Sequence, residues 1–405
     1  MRAYIAVTAA YWAFMLTDGA LRMLVLLHFH TLGFSPFQLA WLFVVYEAMG
    51  VVTNLSAGWI AARFGLASTL YAGLAVQVAA LIGLAQLDPT WRIGASVIFV
   101  AAVQGASGVA KDLSKMSAKS AVRLLAPDTG NTLFRWVALL TGSKNAVKGA
   151  GFALGAILLA TLGFTPSLWV MAAGLTMILI AVALFLPPGL PRGLKGVKFA
   201  QVWSRDPAIN ALSLARLFLF GARDTWFVVG IPVFFYAVLS DGTEAGNRNT
   251  FFLIGSFMAA WIVLYGIVQA TAPRLLRAQG QELSHIVMLT RRWVWVLSAV
   301  IGALAGIALI APAGLAVIIA IGLLIFGAVF ALNSALHSYL ILALGQAERV
   351  TMDVGFYYMA NAAGRLIGTI LSGVSYQYGG LPLCLGTAAL MAVASALSLR
   401  GLKTG

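Results

Sequence analysis

The sequence predicts an all-α integral membrane protein of twelve transmembrane helices in two six-helix halves. Three observations carry that reading. Of 405 residues, 61% are hydrophobic and only 9% charged, against about a quarter charged in a soluble domain. Apolar runs about 20 residues long recur along the whole chain, each able to cross a hydrocarbon layer about 30 Å thick as a helix. The runs fall into two groups of six on either side of one polar segment.

The first six runs cover 4–30, 37–62, 66–86, 93–123, 132–162 and 166–186. The first follows Arg2 and carries Asp18 and Arg22, with no small-residue cleavage site before them, so it reads as a retained helix and not a signal peptide. The second carries Glu47, the fourth Lys111, Asp112 and Lys115, and the fifth Lys144 and Lys148; the third and sixth are free of charge across their apolar runs. Segment 187–207 is rich in Pro and Gly and carries Arg192, Lys195, Lys198 and Arg205, the composition of an interdomain linker. The second six runs cover 208–239, 250–272, 286–310, 314–344, 351–376 and 381–399. Of these the seventh carries Arg216, Arg223 and Asp224 and the eleventh Arg365; the ninth has only Arg291 and Arg292 at its entrance, and the twelfth is clean. The expected organisation is therefore an N-terminal bundle over 1–186, a cytoplasmic linker over 187–207 and a C-terminal bundle over 208–405. With 42 Gly and 12 Pro, the composition suits close-packed, bent membrane helices.

The formal charge of +14 raises the question of a nucleic-acid partner. With a cytoplasmic N-terminus, Arg63, Arg123, the linker cluster, Arg274, Arg277, Arg349, Arg400 and Lys403 all face the cytoplasm, and the other side keeps little beyond Arg92 and Arg248. That is the positive-inside pattern, and an even number of spans places both termini in the cytoplasm. The lipid bilayer explains the basic residues, and no nucleic acid is needed. The single Cys384 forms no intrachain disulfide and no zinc-ligand spacing.

A charge at the bilayer centre costs at least about 2.5–3.5 kcal/mol on insertion scales, so each one calls for a partner or a function. Charges occupy spans one, two, four, five, seven and eleven, while every third helix is clean, as lipid-facing helices should be. Lys144 and Lys148 are four apart and share a face, where like charges repel, so the pair needs carboxylate neighbours or an anionic ligand. Lys111, Lys115 and Lys119 form a second stripe, with headgroup snorkelling as the competing reading for Lys115 and Lys119. Tyr358, Asn361 and Arg365 share a face and offer a hydroxyl, an amide and a guanidinium fork suited to phosphate-like oxygens. Arg216 and Arg223, seven apart, share another. Asp18 with Arg22 has the spacing of an ion pair along one helix, with a substrate contact as the equal alternative, whereas adjacent Arg223 and Asp224 point about 100° apart and should serve different neighbours. Tyr11, Trp12 and Tyr357 are compatible with ordinary helix packing.

The central stretches hold eight bases (Arg22, Lys111, Lys115, Lys144, Lys148, Arg216, Arg223, Arg365) and four acids (Asp18, Glu47, Asp112, Asp224), a surplus of four positive charges. A phosphomonoester brings about −1.5 to −2, so a solute with two such groups would nearly neutralise the site. Weak internal repetition supports two related halves: Phe14 and Asp18 match Phe220 and Asp224, and Asn145, Ala146 and Lys148 resemble Asn361, Ala362 and Arg365.

Other motifs carry little. His28 and His30 lie on different helix faces and make a poor metal site; Gly149, Gly151 and Gly155 read as packing residues, not a nucleotide loop. No catalytic or metal constellation argues for an enzyme, and no cofactor is expected.

At the end of the second span, the run Gly58, Trp59, Ile60, Ala61, Ala62, Arg63, Phe64, Gly65, with Leu70 beyond, resembles the cytoplasmic-loop signature of the major facilitator superfamily. It departs from that signature at Ala62, where an acid is usual, and at Leu66 and Ala67, where a basic pair is usual. Gln104 and Gly105 resemble the fourth-span motif, with Ala101 in place of the common Arg. A closer resemblance rests on residues 16–22 (Leu16 to Arg22), 28–36 (His28 to Pro36), 110–119 (Ala110 to Lys119) and 141–146 (Thr141 to Ala146). These strings, which put charge inside spans, are similar to those of the ArsJ family of bacterial organoarsenical efflux permeases.

That resemblance implies export of 1-arseno-3-phosphoglycerate across the bacterial inner membrane by alternating access. The cargo is made when a glyceraldehyde-3-phosphate dehydrogenase uses arsenate in place of phosphate, so the two proteins together confer arsenate resistance. The cargo has two oxyanion ends. Expected substrate-binding residues are Arg22, Lys111, Lys115, Lys144, Lys148, Arg223, Tyr358, Asn361 and Arg365. Asp18, Glu47 and Asp224 are expected to hold the bases, one of them carrying a coupling proton. The competing readings are a proton-coupled drug exporter, an exporter of another phosphorylated organic anion, and a membrane receptor that moves no solute.

Overall fold

The computed structural model describes residues 2–64, 66–125, 132–186, 204, 206–276, 282–344 and 350–402, with side chains described except at 2–5, 57–59, 61–64, 66, 116, 119–125, 132–142, 342 and 350–352. Most of the expected linker lies outside these residues, as do the side chains of Arg63, Lys119, Arg123, Arg277, Arg349 and Lys403.

The described chain is helical throughout. The helices are α1 (Arg2–Thr31), α2 (Pro36–Phe64), α3 (Leu66–Leu84), α4 (Ile93–Leu125), α5 (Thr132–Leu162), α6 (Phe164–Phe185), α7 (Pro207–Phe227), α8 (Gly230–Leu239), α9 (Glu244–Leu275), α10 (Leu283–Ile310), α11 (Leu315–Leu344) and α12 (Val350–Ser398). Eleven stretches among them are long and apolar enough to cross a membrane, α7 and α8 counting as one. Helix starts follow capping chemistry. Asp206 accepts from the backbone N–H of Ala208 at 2.7 Å and of Ile209 at 3.3 Å, with Pro207 at the first helical position of α7. Thr243 accepts from the N–H of Gly246 at 2.9 Å and opens α9. The α1–α2 turn closes through Gly33 at φ 81°, a left-handed position that glycine occupies without strain.

Two interruptions shape the second half. Between α7 and α8 the helix breaks, and the freed N–H groups of Val229 and Gly230 both donate to the hydroxyl of Ser372 on α12 at 3.1 Å. A break inside a membrane helix persists only where the backbone is satisfied in this way. In α12, Gly379 (φ −144°, ψ 16°) and Gly380 (φ 58°, ψ −154°) leave helical geometry. A straight 49-residue helix would be about 73 Å long at 1.5 Å per residue, more than twice the apolar layer.

The repetition seen in the sequence has a structural counterpart. Helices α1 and α5 cross so closely that a Cβ on Gly151 would sit 2.5 Å from the carbonyl oxygen of Leu16. Helices α7 and α12 cross the same way, where a Cβ on Gly368 would sit 2.7 Å from the carbonyl oxygen of Gly221. Gly151 follows Lys148 by three residues and Gly368 follows Arg365 by three. Each crossing brings an aspartate, Asp18 on α1 or Asp224 on α7, within reach of a base, Lys148 on α5 or Arg365 on α12, and small residues are what permit it. In the second half, Trp226, Trp261, Phe326 and Phe330 pack into a buried aromatic cluster, with Trp261 Nε1 donating to the carbonyl of Leu323 at 2.7 Å. Charge-free α6 exposes Trp169, Val170, Met177, Ile180, Leu184 and Phe185, and the last stretch of α12 exposes Leu383, Leu390 and Leu397. These apolar outer faces suit lipid contact.

Candidate functional site

A cavity of about 230 Å³ is walled by α1, α4 and α5 on one side and α7, α9, α11 and α12 on the other. All eight central bases line it: Arg22, Lys111, Lys115, Lys144, Lys148, Arg216, Arg223 and Arg365. They arrive from helices far apart in sequence because the glycine crossings draw α1 to α5 and α7 to α12. Tyr358 and Asn361 join Arg365 on the wall, as their shared helix face requires.

The carboxylates hold these bases from behind. Asp18 accepts from Lys148 Nζ at 3.0 Å and from the Tyr46 hydroxyl at 2.5 Å. Glu47, only 1% exposed, accepts from Arg22 at 3.0 Å and from Arg365 at 2.6 Å, which joins α1, α2 and α12 through one carboxylate. Asp224 accepts from Arg365 Nε at 3.1 Å and also from Arg223. Asp112 accepts from Lys115 at 2.8 Å and from Thr53 and Asn54 of α2. Two equivalent pairs therefore sit at equivalent crossings, Asp18 with Lys148 and Asp224 with Arg365.

Two expectations need correction. Asp18 and Arg22 do not pair along α1: the close α1–α5 crossing puts Lys148 within reach of Asp18, while the longer Arg22 reaches Glu47 on α2. Arg223 and Asp224 do pair, because the guanidinium folds back onto Oδ1 while Oδ2 takes Arg365. The 100° between their Cα–Cβ bonds is overcome by the length of the arginine.

Sequence reasoning left several wall residues unassigned. Arg216, counted among the central bases but given no ligand role, is 4% exposed; Nε donates to Asn361 Oδ1 at 3.0 Å and Nη1 to the carbonyl and hydroxyl of Ser334 at 3.2 Å. Tyr46 supports Asp18 through its hydroxyl and lies beneath Lys111, whose Nζ is 4.1 Å from the ring centroid. Its position beside Glu47 was the available signal. Tyr11, Tyr265, Gln269 and Ser338 add polar groups to the wall. Of the aromatics read as packing, Tyr11 lines the cavity, Trp12 donates to Ser143 at 3.1 Å, and Tyr357 lies under the Arg216 guanidinium at 5.1 Å. His28 stacks on Phe164 at 4.0 Å. Among the described residues no group of His, Cys, Asp or Glu is placed to hold a metal ion.

Chemically, the wall offers forked guanidinium donors and ammonium groups around a polar space. Groups of this kind can donate to oxyanions.

No protein-family model matches the chain, and no curated protein matches it in sequence. Solved structures do resemble it. A POT family transporter in complex with a thioalcohol-conjugated peptide superposes with a TM-score of 0.73 at 14% identity, covering 98% of this chain and 95% of that one. A POT family transporter in complex with 5-aminolevulinic acid gives 0.75 at 14% identity, with 98% and 95% covered. The nucleoside transporter NupG gives 0.71 at 16% identity, with 99% and 100% covered. At such identities the likeness establishes the fold alone: the chain is a multi-pass, all-helical membrane protein that shares the fold of these transporters.

Proposed function

We propose that the protein is a secondary transporter for a small organic anion carrying two oxyanion groups, moved by alternate rocking of the two halves around the central cavity. One observation carries this reading: eight basic side chains from both halves converge on one cavity, against four carboxylates. A lipophilic cation would be repelled there. At about 230 Å³ the cavity is also smaller than the roughly 300–1,000 Å³ of sites for drug-sized ligands, which favours a compact metabolite over a drug.

The finer reading is export of 1-arseno-3-phosphoglycerate across the bacterial inner membrane, supported by the resemblance to organoarsenical efflux permeases and by the two-ended charge of that cargo. Both termini are then cytoplasmic, and a glyceraldehyde-3-phosphate dehydrogenase supplies the substrate. We read the 49-residue stretch broken at Gly379 and Gly380 as two crossings, which gives twelve spans, in a major facilitator protein of two bundles joined at 187–207. Lys144, Lys148 and Arg365 form the oxyanion clamp, with Arg22, Lys111, Lys115 and Arg223 adding charge and Tyr358 and Asn361 adding neutral donors. Asp18, Glu47 and Asp224 hold the bases in place when the site is empty.

Everted membrane vesicles supplied with the dehydrogenase, its aldehyde substrate, NAD and arsenate should accumulate organic arsenic only when this protein is present. Accumulation of a lipophilic cation with no arsenic uptake would contradict the reading and favour a drug exporter. Uptake of 3-phosphoglycerate with no arsenic uptake would retain the anion transporter and remove the arsenical.

A further inference from the structure

We infer that the carrier is an obligatory anion exchanger: its cavity passes through the closed state only with an anion aboard, and the return stroke takes a second anion of phosphate-like chemistry. The inference rests on the anion-transport reading above and adds the counter-substrate.

The bases of the cavity share four carboxylates. Each of the four is already engaged: Asp18 by Lys148, Glu47 by Arg22 and Arg365, Asp112 by Lys115, and Asp224 by Arg223 and Arg365. None is spare. Lys111, 8% exposed, has no carboxylate within 4 Å among the described residues and rests on the face of Tyr46 at 4.1 Å. Arg216, 4% exposed, is bonded only to the neutral Asn361 and Ser334. These are two buried cations with neutral partners, at a cavity where the eight bases and four carboxylates among the described residues leave a surplus of four.

While the cavity is open, water screens that surplus. Closure expels the water, and charges left without counter-ions in a low-dielectric space are strongly disfavoured. A bound dianion of the phosphate type lowers the surplus by about −1.5 to −2 and supplies acceptors to Lys111 and Arg216. An empty cavity has no such relief. Proton uptake gives none either, because protonating any of the four carboxylates raises the surplus to five and strips another base of its partner. The empty carrier is therefore held open, and turnover proceeds by exchange.

Purified protein in liposomes loaded with labelled inorganic phosphate, with the membrane potential clamped, tests this. Release should be at least about tenfold faster into medium containing phosphate than into medium with no permeant anion, a factor equal to one decade of barrier. Equal release into both media overturns exchange and leaves anion transport standing. A parallel set loaded with labelled 3-phosphoglycerate separates the two readings: no release of either label in any medium overturns anion transport itself, and exchange with it. Lys111→Gln and Arg216→Gln each remove one charge from the surplus, so release into anion-free medium should rise relative to exchange in both. An unchanged ratio in Lys111→Gln and in Arg216→Gln overturns the electrostatic cause.

Discussion

Replacing Lys148 separates a binding role from a structural one. Lys148 Nζ lies 3.0 Å from Asp18 Oδ2, with the two side chains 15% and 2% exposed. Lys148→Gln leaves a buried carboxylate with one remaining partner, the Tyr46 hydroxyl at 2.5 Å. Removing one member of a buried pair costs about 3–5 kcal/mol, and the surviving hydrogen bond to a charged acceptor offsets part of that, so about 3 kcal/mol is expected. In the double variant Asp18→Asn with Lys148→Gln no charge is stranded, and stability should return to within about 1 kcal/mol of the parent, since a neutral replacement of a buried pair is often nearly free. Transport should not return, because the ammonium that meets the anion is gone from both variants. Thermal unfolding in detergent gives the stability series, and anion flux in liposomes gives the function. A double variant that transports at the parental rate would refute the clamp and make Lys148 a structural partner of Asp18.

Glu47→Gln strands Arg22 and half of Arg365, so it should destabilise the empty protein by about 3–5 kcal/mol and enlarge the thermal protection given by inorganic phosphate, as two freed guanidinium groups gain an acceptor. Arg216→Lys keeps the charge but loses the fork that engages Asn361 and Ser334; it should raise the apparent KM for a phosphorylated anion about tenfold or more, with membrane insertion unchanged. Gly151→Val and Gly368→Val place side chains against backbone at the two crossings. Each should cost about 1–3 kcal/mol or more and lower the fraction of protein that elutes as a single species after detergent extraction.

Much of the fold was legible because a membrane span needs a long apolar run, and such runs survive any detail of packing. The clean sixth and twelfth spans announced their outward faces for the same reason. The eight bases could be selected from sequence because charge inside a span is costly enough to be rare. Their partners could not, since Asp18 and Arg22 lie one turn apart on one helix yet bond to α5 and α2 respectively. Which neighbour wins depends on helix crossings set by Gly19, Gly151 and Gly155, and a stripe of small residues does not name the helix it faces. Arg216 escaped assignment because its partners, Asn361 and Ser334, are neutral and more than a hundred residues away. The break at Val229 was likewise beyond periodicity: both flanks are apolar, and Ser372 satisfies it from another helix, whereas the break at Gly379 and Gly380 falls on the boundary read between the apolar runs 351–376 and 381–399.

The central claim is that the cavity binds a two-ended anion and rejects cations. Titration calorimetry of the purified protein with 3-phosphoglycerate and, separately, with tetraphenylphosphonium tests it most directly. Binding of 3-phosphoglycerate should be measurable in the parent and lost in Lys148→Gln, with no binding of the cation; binding of the cation with none of the phosphorylated anion would contradict the claim.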